Sequence, residues 1–225
     1  IELDELKKKS VNVNIKRLVF KEQSGLQVDR LSMKLKGTDQ QLSIQDFCLE
    51  MPRSKITFDW LSATYDTNHL AETLTYQVDL HEVKINPLDL KPMLPVLQHF
   101  DHTLTLSATV TGCGPDIEVS SLKAEAYDHS VEIAADASVE DGTFSVQIPH
   151  LVMSNGVLSD IRQAYPEMPE MVTRLGTVSL KGNLAGTKGE SAAANVDIQT
   201  AIGHVLADVS LDKDKRFRGN IKTDD

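Results

Sequence analysis

The chain has 225 residues, enough to bury a sizeable core in one large or two medium domains. Its net charge of −10 disfavours nucleic acid and direct docking on an anionic membrane surface, both of which select for Lys and Arg patches. Aromatic residues make up 5% of the chain, so any core is mainly aliphatic, and no apolar run reaches the roughly 18 residues of a membrane span.

The first ten residues, IELDELKKKS, are charged from Glu2 onward and do not form a signal peptide. The last five, IKTDD, follow directly on a strand-like stretch, so the sequence reads as a piece of a longer protein. Period-2 alternation begins at Val11, Val13 and Ile15. It continues through Leu31, Met33 and Leu35 to Gly37, then Leu42 and Ile44, Phe47 and Leu49, and Ile56 and Phe58. Trp60 shares the parity of Ile56 and Phe58 and is expected to point inward. NPLDLKPMLPVL (86–97) changes period: Leu90, Met93, Leu94 and Leu97 are spaced for one helical face. Asn86 is placed to cap this element, with Pro87 at its first position, while Pro92 and Pro95 should divide it into two short turns.

Strands then resume with TLTLSATVTG (103–112), carrying Leu104, Leu106, Ala108 and Val110. Next come Ile117 and Val119, Leu122 and Ala124, then Val131, Ile133, Ala135 and Ala137, and Phe144, Val146 and Ile148. Turn-forming breaks such as GCGPD and EDG separate them. SNGVLSDIRQAYPEMPEM is a second helical segment, with Val157, Leu158, Ile161, Ala164 and Tyr165 on one stripe. The chain closes on TVSLKGNLAG (177–186) and further alternating strands. About a dozen strands of this one-sided kind belong to an antiparallel sheet with one covered face.

The pattern repeats. A shift of 75 places Leu31, Met33, Leu35 and Gly37 on Leu106, Ala108, Val110 and Gly112, and Ile44, Phe47 and Leu49 on Val119, Leu122 and Ala124. The same shift places Ile56 and Phe58 on Val131 and Ile133. A shift of 74 carries Thr103–Gly112 onto Thr177–Gly186. In each copy the alternation slips by one residue, at Ile44 to Phe47, Val119 to Leu122 and Ala193 to Val196, where a β-bulge would absorb the extra residue. The array divides into 1–97, 98–175 and a partial third repeat, 176–225. The fold class is mostly β with short helices: one elongated, curved, antiparallel-rich sheet on the order of 60–70 Å long, with raw edges at both ends.

Motifs for chemistry are absent: there is no GxSxG, phosphate-binding glycine loop, CxxC or HExxH. An enzyme is not expected, nor a cofactor. His99, Asp101 and His102 in QHFDH read as a solvated loop, not as a metal site, and Glu140–Asp141 and Asp224–Asp225 as turn and terminal residues. Cys48 and Cys113 have no motif spacing and read as free thiols, with a disulfide open to them in an oxidising compartment. More informative is side-chain size. The face carrying Ala108, Ala124, Ala126, Ala135 and Ala137 is too small to fill a closed sandwich about 10 Å thick. The connecting helix or an acyl chain would fill the remaining volume.

FKEQSGLQVDRLSMKLKG (20–37), LSIQDFCLEMPRSKITFDWLSATYD (42–66) and INPLDLKPMLPVL (85–97) resemble the repeats of TamB-type proteins of the AsmA-like superfamily, in the form found in Bacteroidetes. The likeness runs from about Val11 to Ile221 through diffuse motifs. It implies a periplasmic segment of a protein anchored in the inner membrane, folded as an incompletely closed β-trough with an aliphatic interior. It also implies phospholipid movement towards the outer membrane and an Omp85-family barrel partner engaged through regions outside this segment. The acyl-chain surface would be Leu31, Met33, Leu35, Ile44, Phe47, Leu49, Ile56 and Phe58, continued by Leu104, Leu106, Ala108, Val110, Ile117, Val119, Leu122, Ala124, Val131, Ile133 and Ala135. Its partners would then be phospholipid acyl chains and adjoining repeats of the same protein. The main alternative is a non-enzymatic spacer with a dry interior that recruits partners by edge-strand addition. A carbohydrate-binding module is a third reading, which exposed aromatic platforms would favour.

Overall fold

The computed structural model describes residues 10–126 and 128–224; the charged opening stretch, Tyr127 and Asp225 lie outside the described residues. Thirteen strands follow one another: β1 (Val11–Lys21), β2 (Gln27–Gly37), β3 (Gln41–Glu50), β4 (Lys55–Thr64), β5 (Thr75–Ile85), β6 (Leu104–Cys113), β7 (Asp116–Ala126), β8 (Val131–Glu140), β9 (Thr143–Met153), β10 (Val178–Thr187), β11 (Ser191–Thr200), β12 (Gly203–Leu211) and β13 (Phe217–Asp224). Their order in the sheet is their order in the chain, an antiparallel meander that does not close on itself. Two α-helices interrupt it, α1 (Leu70–Thr73) and α2 (Asn155–Ala164), with 3₁₀ turns at Pro87–Leu90, Pro95–His99 and Glu170–Arg174. By internal contact the chain forms two compact units that divide between Ile117 and Glu118.

In the first unit, side chains paired directly across the sheet share a face. One such row runs Val13, Leu35, Ile44, Leu61, Val78 and Val110, aliphatic at every strand from β1 to β6. The neighbouring row is Val11, Gly37, Leu42, Ala63, Tyr76 and Gly112. Three-residue apolar steps stay on this face because the register absorbs the extra residue. It shifts between Ile15 and Leu18 of β1, within β3 opposite Ser32–Lys34, and between Leu80 and Val83 of β5. Asp46 and Glu82, immediately before the resumed apolar residue, take left-handed φ values of 52° and 50°. The Glu82 amide that the bulge frees from the ladder donates to Ser107 Oγ at 2.9 Å.

The 3₁₀ pair behaves as its prolines dictate. Asn86 Oδ1 accepts from Leu88 N at 3.0 Å, and the element breaks after Leu90. The expected apolar stripe does not form: Met93 is 68% and Leu94 56% exposed, because Pro92 and Pro95 stop the helix that would have aligned them. What is buried here is polar. Asn86, Asp89 and Ser54 lie out of water, with the Asn86 amide donating to Ser54 Oγ at 2.9 Å and Asp89 accepting from Arg53 N at 2.9 Å. Asn86 Nδ2 also donates to Asp101 Oδ1 and Thr103 Oγ1, tying the turn to the start of β6.

The second unit repeats this logic. Ser121 in β7 has φ 55°, and its amide donates to Asp136 Oδ1 on β8 at 2.7 Å. In β9 the register shifts between Ile148 and Leu151, with Pro149 at the bulge, where its missing N–H leaves no ladder bond unmade. Ser154 caps α2, and its own amide donates to the carbonyl of buried Ser130, where the Asn86 amide of the first unit donates instead to the hydroxyl of buried Ser54. Val157 and Leu158 of α2 are buried, but the helix ends at Ala164 and Tyr165 turns out to 50% exposure, so it does not join the stripe. Asp141 and Gly142, both at positive φ, make the tight β8–β9 turn expected of EDG.

The third slip does not exist. β10–β11 and β11–β12 pair without a shift, so Ala193 points away from Val196 and is exposed. Ala192, Ala194, Val196 and Ile198 hold the apolar face instead, opposite Gly186, Leu184, Gly182 and Leu180.

The closing glycine of the third copy of the repeated strand has a steric reason. A Cβ on Gly186 would overlap the Ser191 carbonyl oxygen and stand 2.8 Å from the Phe144 ring, whereas Gly37 has only ordinary contact with Leu42 at 3.5 Å. Gly186→Ala should therefore cost about 1–3 kcal/mol in chemical denaturation, with Gly37→Ala within about 0.5 kcal/mol of wild type. Relief of the left-handed backbone at Glu82 should make Glu82→Gly more stable by about 0.5–1 kcal/mol, and Glu82→Val less stable by about 1–2 kcal/mol.

Candidate lipid-facing surface

The surface proposed from sequence is the apolar face of the sheet. In the first unit Leu31 and Leu35 on β2 pair with Leu49 and Ile44 on β3, with Met33 between them at the register shift, and Leu49, Phe47 and Ile44 pair with Ile56, Phe58 and Leu61 on β4. Phe47 and Phe58 stack with centroids 4.5 Å apart and planes 6° from parallel. Leu104, Leu106, Ala108 and Val110 lie on β6 opposite Ile85, Val83, Leu80 and Val78. In the second unit Val131 and Ile133 pair with Met153 and Leu151, and Leu151 with Leu180. Leu122, Ala124 and Ala126 on β7 alternate with exposed Lys123 and Glu125. Ile117, at the end of the first unit, is 43% exposed.

Burial on this face runs against side-chain size. Among the proposed surface residues, those out of water are Ala108, Ala124 and Ala135; the Leu, Ile, Val, Met and Phe side chains are half-buried, apart from exposed Ile117. A closed sandwich would give the reverse, since its large inward side chains fill the space between two sheets. The dry positions of the first unit include Val28 at the start of β2, Met51 just past β3 and Val83 near the end of β5. In the second unit they include Ala126 at the end of β7, Val178 at the start of β10, and Val157 and Leu158 of α2. These positions cluster at the strand ends that adjoin the helical segments. The connecting helices thus account for part of the filling, and much of the aliphatic face remains partly open to water.

Trp60 departs from its expected place. It pairs with Gln45, which pairs with Lys34, so it lies on the polar face and is 50% exposed. The cause is a second three-residue step, Phe58 to Leu61, that keeps Leu61 and Ala63 on the apolar side and turns Trp60 out. Trp60 borders a shallow cavity of about 490 Å³ with Asn12, Lys36, Ser43 and Ser62.

Both cysteines are free thiols. Burial pushes the Cys48 thiol pKa up, and nearby Glu50, whose Oε1 accepts from Sγ at 3.7 Å, adds to the rise. In the turn before α1, the Asn68 amide donates to Asp66 Oδ1 at 2.9 Å and holds that carboxyl below its ordinary range. Asp101 of the QHFDH group is engaged by Asn86. No helix among the described residues is long and apolar enough to cross a membrane. No protein-family model, curated protein or solved structure matches this chain.

Thiol chemistry offers a direct check on this placement. Exposed Cys113 should react with a maleimide at neutral pH well before half-buried, raised-pKa Cys48, as read by peptide mapping of the partly labelled protein.

Proposed function

We propose that this chain is a segment of a TamB-type, AsmA-like envelope protein whose apolar sheet face carries phospholipid acyl chains across the periplasm. The observation that supports the reading is the partly solvated aliphatic face: bulky side chains aligned in register over successive strands yet incompletely covered by the protein's own helices. Transfer of one CH₂ from water to such a surface contributes about 0.8 kcal/mol, so a chain of about sixteen carbons would otherwise expose on the order of 12 kcal/mol. A face without fixed polar anchors holds the chain at similar affinity along its length, while the headgroup stays in water. Movement then requires no covalent step. An Omp85-family barrel and adjoining repeats would be engaged outside this segment. The spacer alternative requires a dry interior, and the partial exposure of the leucines and valines favours the conduit over it.

Native mass spectrometry of the full chain tests the proposal. The expected result is co-purified phospholipid, lost in the double variant Ile44→Asp/Val110→Asp while circular dichroism stays native. Repeated absence of lipid from folded wild type would overturn the reading, and unfolding of the variant would identify the face as packed core and favour the spacer.

Exposed Trp60 beside small polar side chains favours a second reading, carbohydrate binding on the opposite face. Titration with soluble oligosaccharides should then quench or shift the fluorescence of this one Trp. An unchanged spectrum over a millimolar range would discard it.

A further inference from the structure

Four metal-capable side chains, three of them within eight residues and His150 18 residues further on, meet on the polar face of the second unit. Glu125 projects from β7, His129 from the following turn, Glu132 from β8, and His150 from β9 immediately after the Pro149 bulge. Glu125 Oε1 lies 2.6 Å and Glu132 Oε1 3.5 Å from His129 Nδ1, and Glu132 Oε2 lies 3.4 Å from His150 Nε2. One ligand atom from each of Glu125, His129 and Glu132 falls within 4.8 Å of the others, the sole such group among the described residues.

We propose that this cluster is a binding site for a divalent transition ion of the zinc class. The first argument is spacing: bonds of 2.0–2.1 Å in a tetrahedron put neighbouring donor atoms about 3.3 Å apart; Glu132 stands 3.5 Å from His129 Nδ1, and Glu125, at 2.6 Å, would move out slightly to admit the ion. The second is donor chemistry. An imidazole with two carboxylates suits zinc, copper or nickel, whereas magnesium and calcium select all-oxygen shells. The third is charge: two carboxylates converge on one side chain, and a dication between them would balance both. Glu125, His129 and Glu132 form the ligand set, and His150 holds the second oxygen of Glu132 from outside it.

The backbone presents His129 for this role. Its φ of 54° is left-handed, and the turn is pinned by Asp128 Oδ1, which accepts from the Ser130 amide at 3.1 Å and the Ser130 hydroxyl at 2.6 Å. The Pro149 bulge places His150 diagonally across from Glu132, since Ala134 is its direct partner. A bound ion would join β7, its turn and β8, with β9 linked through the His150–Glu132 contact, and by linkage would stabilise the second unit.

Zinc itself is the probe, added to the tag-free, full-length chain in equilibrium dialysis and in calorimetry, with magnesium as the control. The expected result is saturable uptake of one zinc per chain, no response to magnesium, and coincident shifts of the His129 and His150 ring signals by NMR. His129→Asn removes the imidazole yet tolerates the left-handed backbone, so it should stay folded and lose the uptake. His150→Gln should weaken it. Absence of saturable uptake by folded wild type, or its retention in folded His129→Asn, would overturn the assignment.

Discussion

A strand keeps its apolar side chains on one side of a sheet only by counting in twos, and this chain repeatedly counts three. The steps Ile15 to Leu18, Ile44 to Phe47, Leu80 to Val83, Val119 to Leu122 and Ile148 to Leu151 would each send half a strand's apolar residues to the wrong side. In β3, β5 and β7 a left-handed residue sits just before the resumed apolar position, at Asp46, Glu82 and Ser121. An L-residue there costs about 1–2 kcal/mol, so the conformation persists only where the surroundings fix it. Two of the three bulges capture the freed amide with a neighbouring side chain, Ser107 for Glu82 and Asp136 for Ser121. The single apolar face, and any function it has, depends on these local corrections.

Much of this was legible because alternation and its slips are one-dimensional signals. The bulges of β3 and β7 stand at the positions where the period fails in the sequence. The supposed third slip fell on Ala192, Ala193 and Ala194, three identical small residues that carry no parity; the uninterrupted pairing of β11 decides among them. Trp60 was misplaced because parity was carried from Phe58 across a step that runs instead to Leu61. Met93 and Leu94 kept helical spacing in a segment whose prolines forbid the helix. The buried polar contacts of Ser54, Asn86, Asp89 and Asp101 left no sequence trace, since they join residues that only the fold brings together. Glu125, His129 and Glu132 stand within eight residues, but only the turn between β7 and β8 aims them at one another, whereas the compact QHFDH group drew attention merely by adjacency.

The distribution of burial shows where the sheet's stability is concentrated. Near the helical segments, Val28, Met51 and Val83 in one unit and Ala126, Val157, Leu158 and Val178 in the other are dry, and the helix-starting amides are anchored on buried Ser54 and Ser130. Such ends can hold each unit together without a continuous core beneath the rest of the face. Fully burying a Val, Leu or Ile contributes about 1.5–3 kcal/mol, so each partly exposed one leaves up to about 0.5–1 kcal/mol unrealised. Along the row from Val13 to Val110, partly exposed at every strand, that amounts to a few kcal/mol at most available to whatever apolar surface lies against it. Because the row is aliphatic at every strand and presents no polar group to fix a register, the gain is nearly the same wherever along it a flexible hydrocarbon settles. On the proposed reading such a surface would hold an acyl chain without specifying its position, which is the physical condition for sliding.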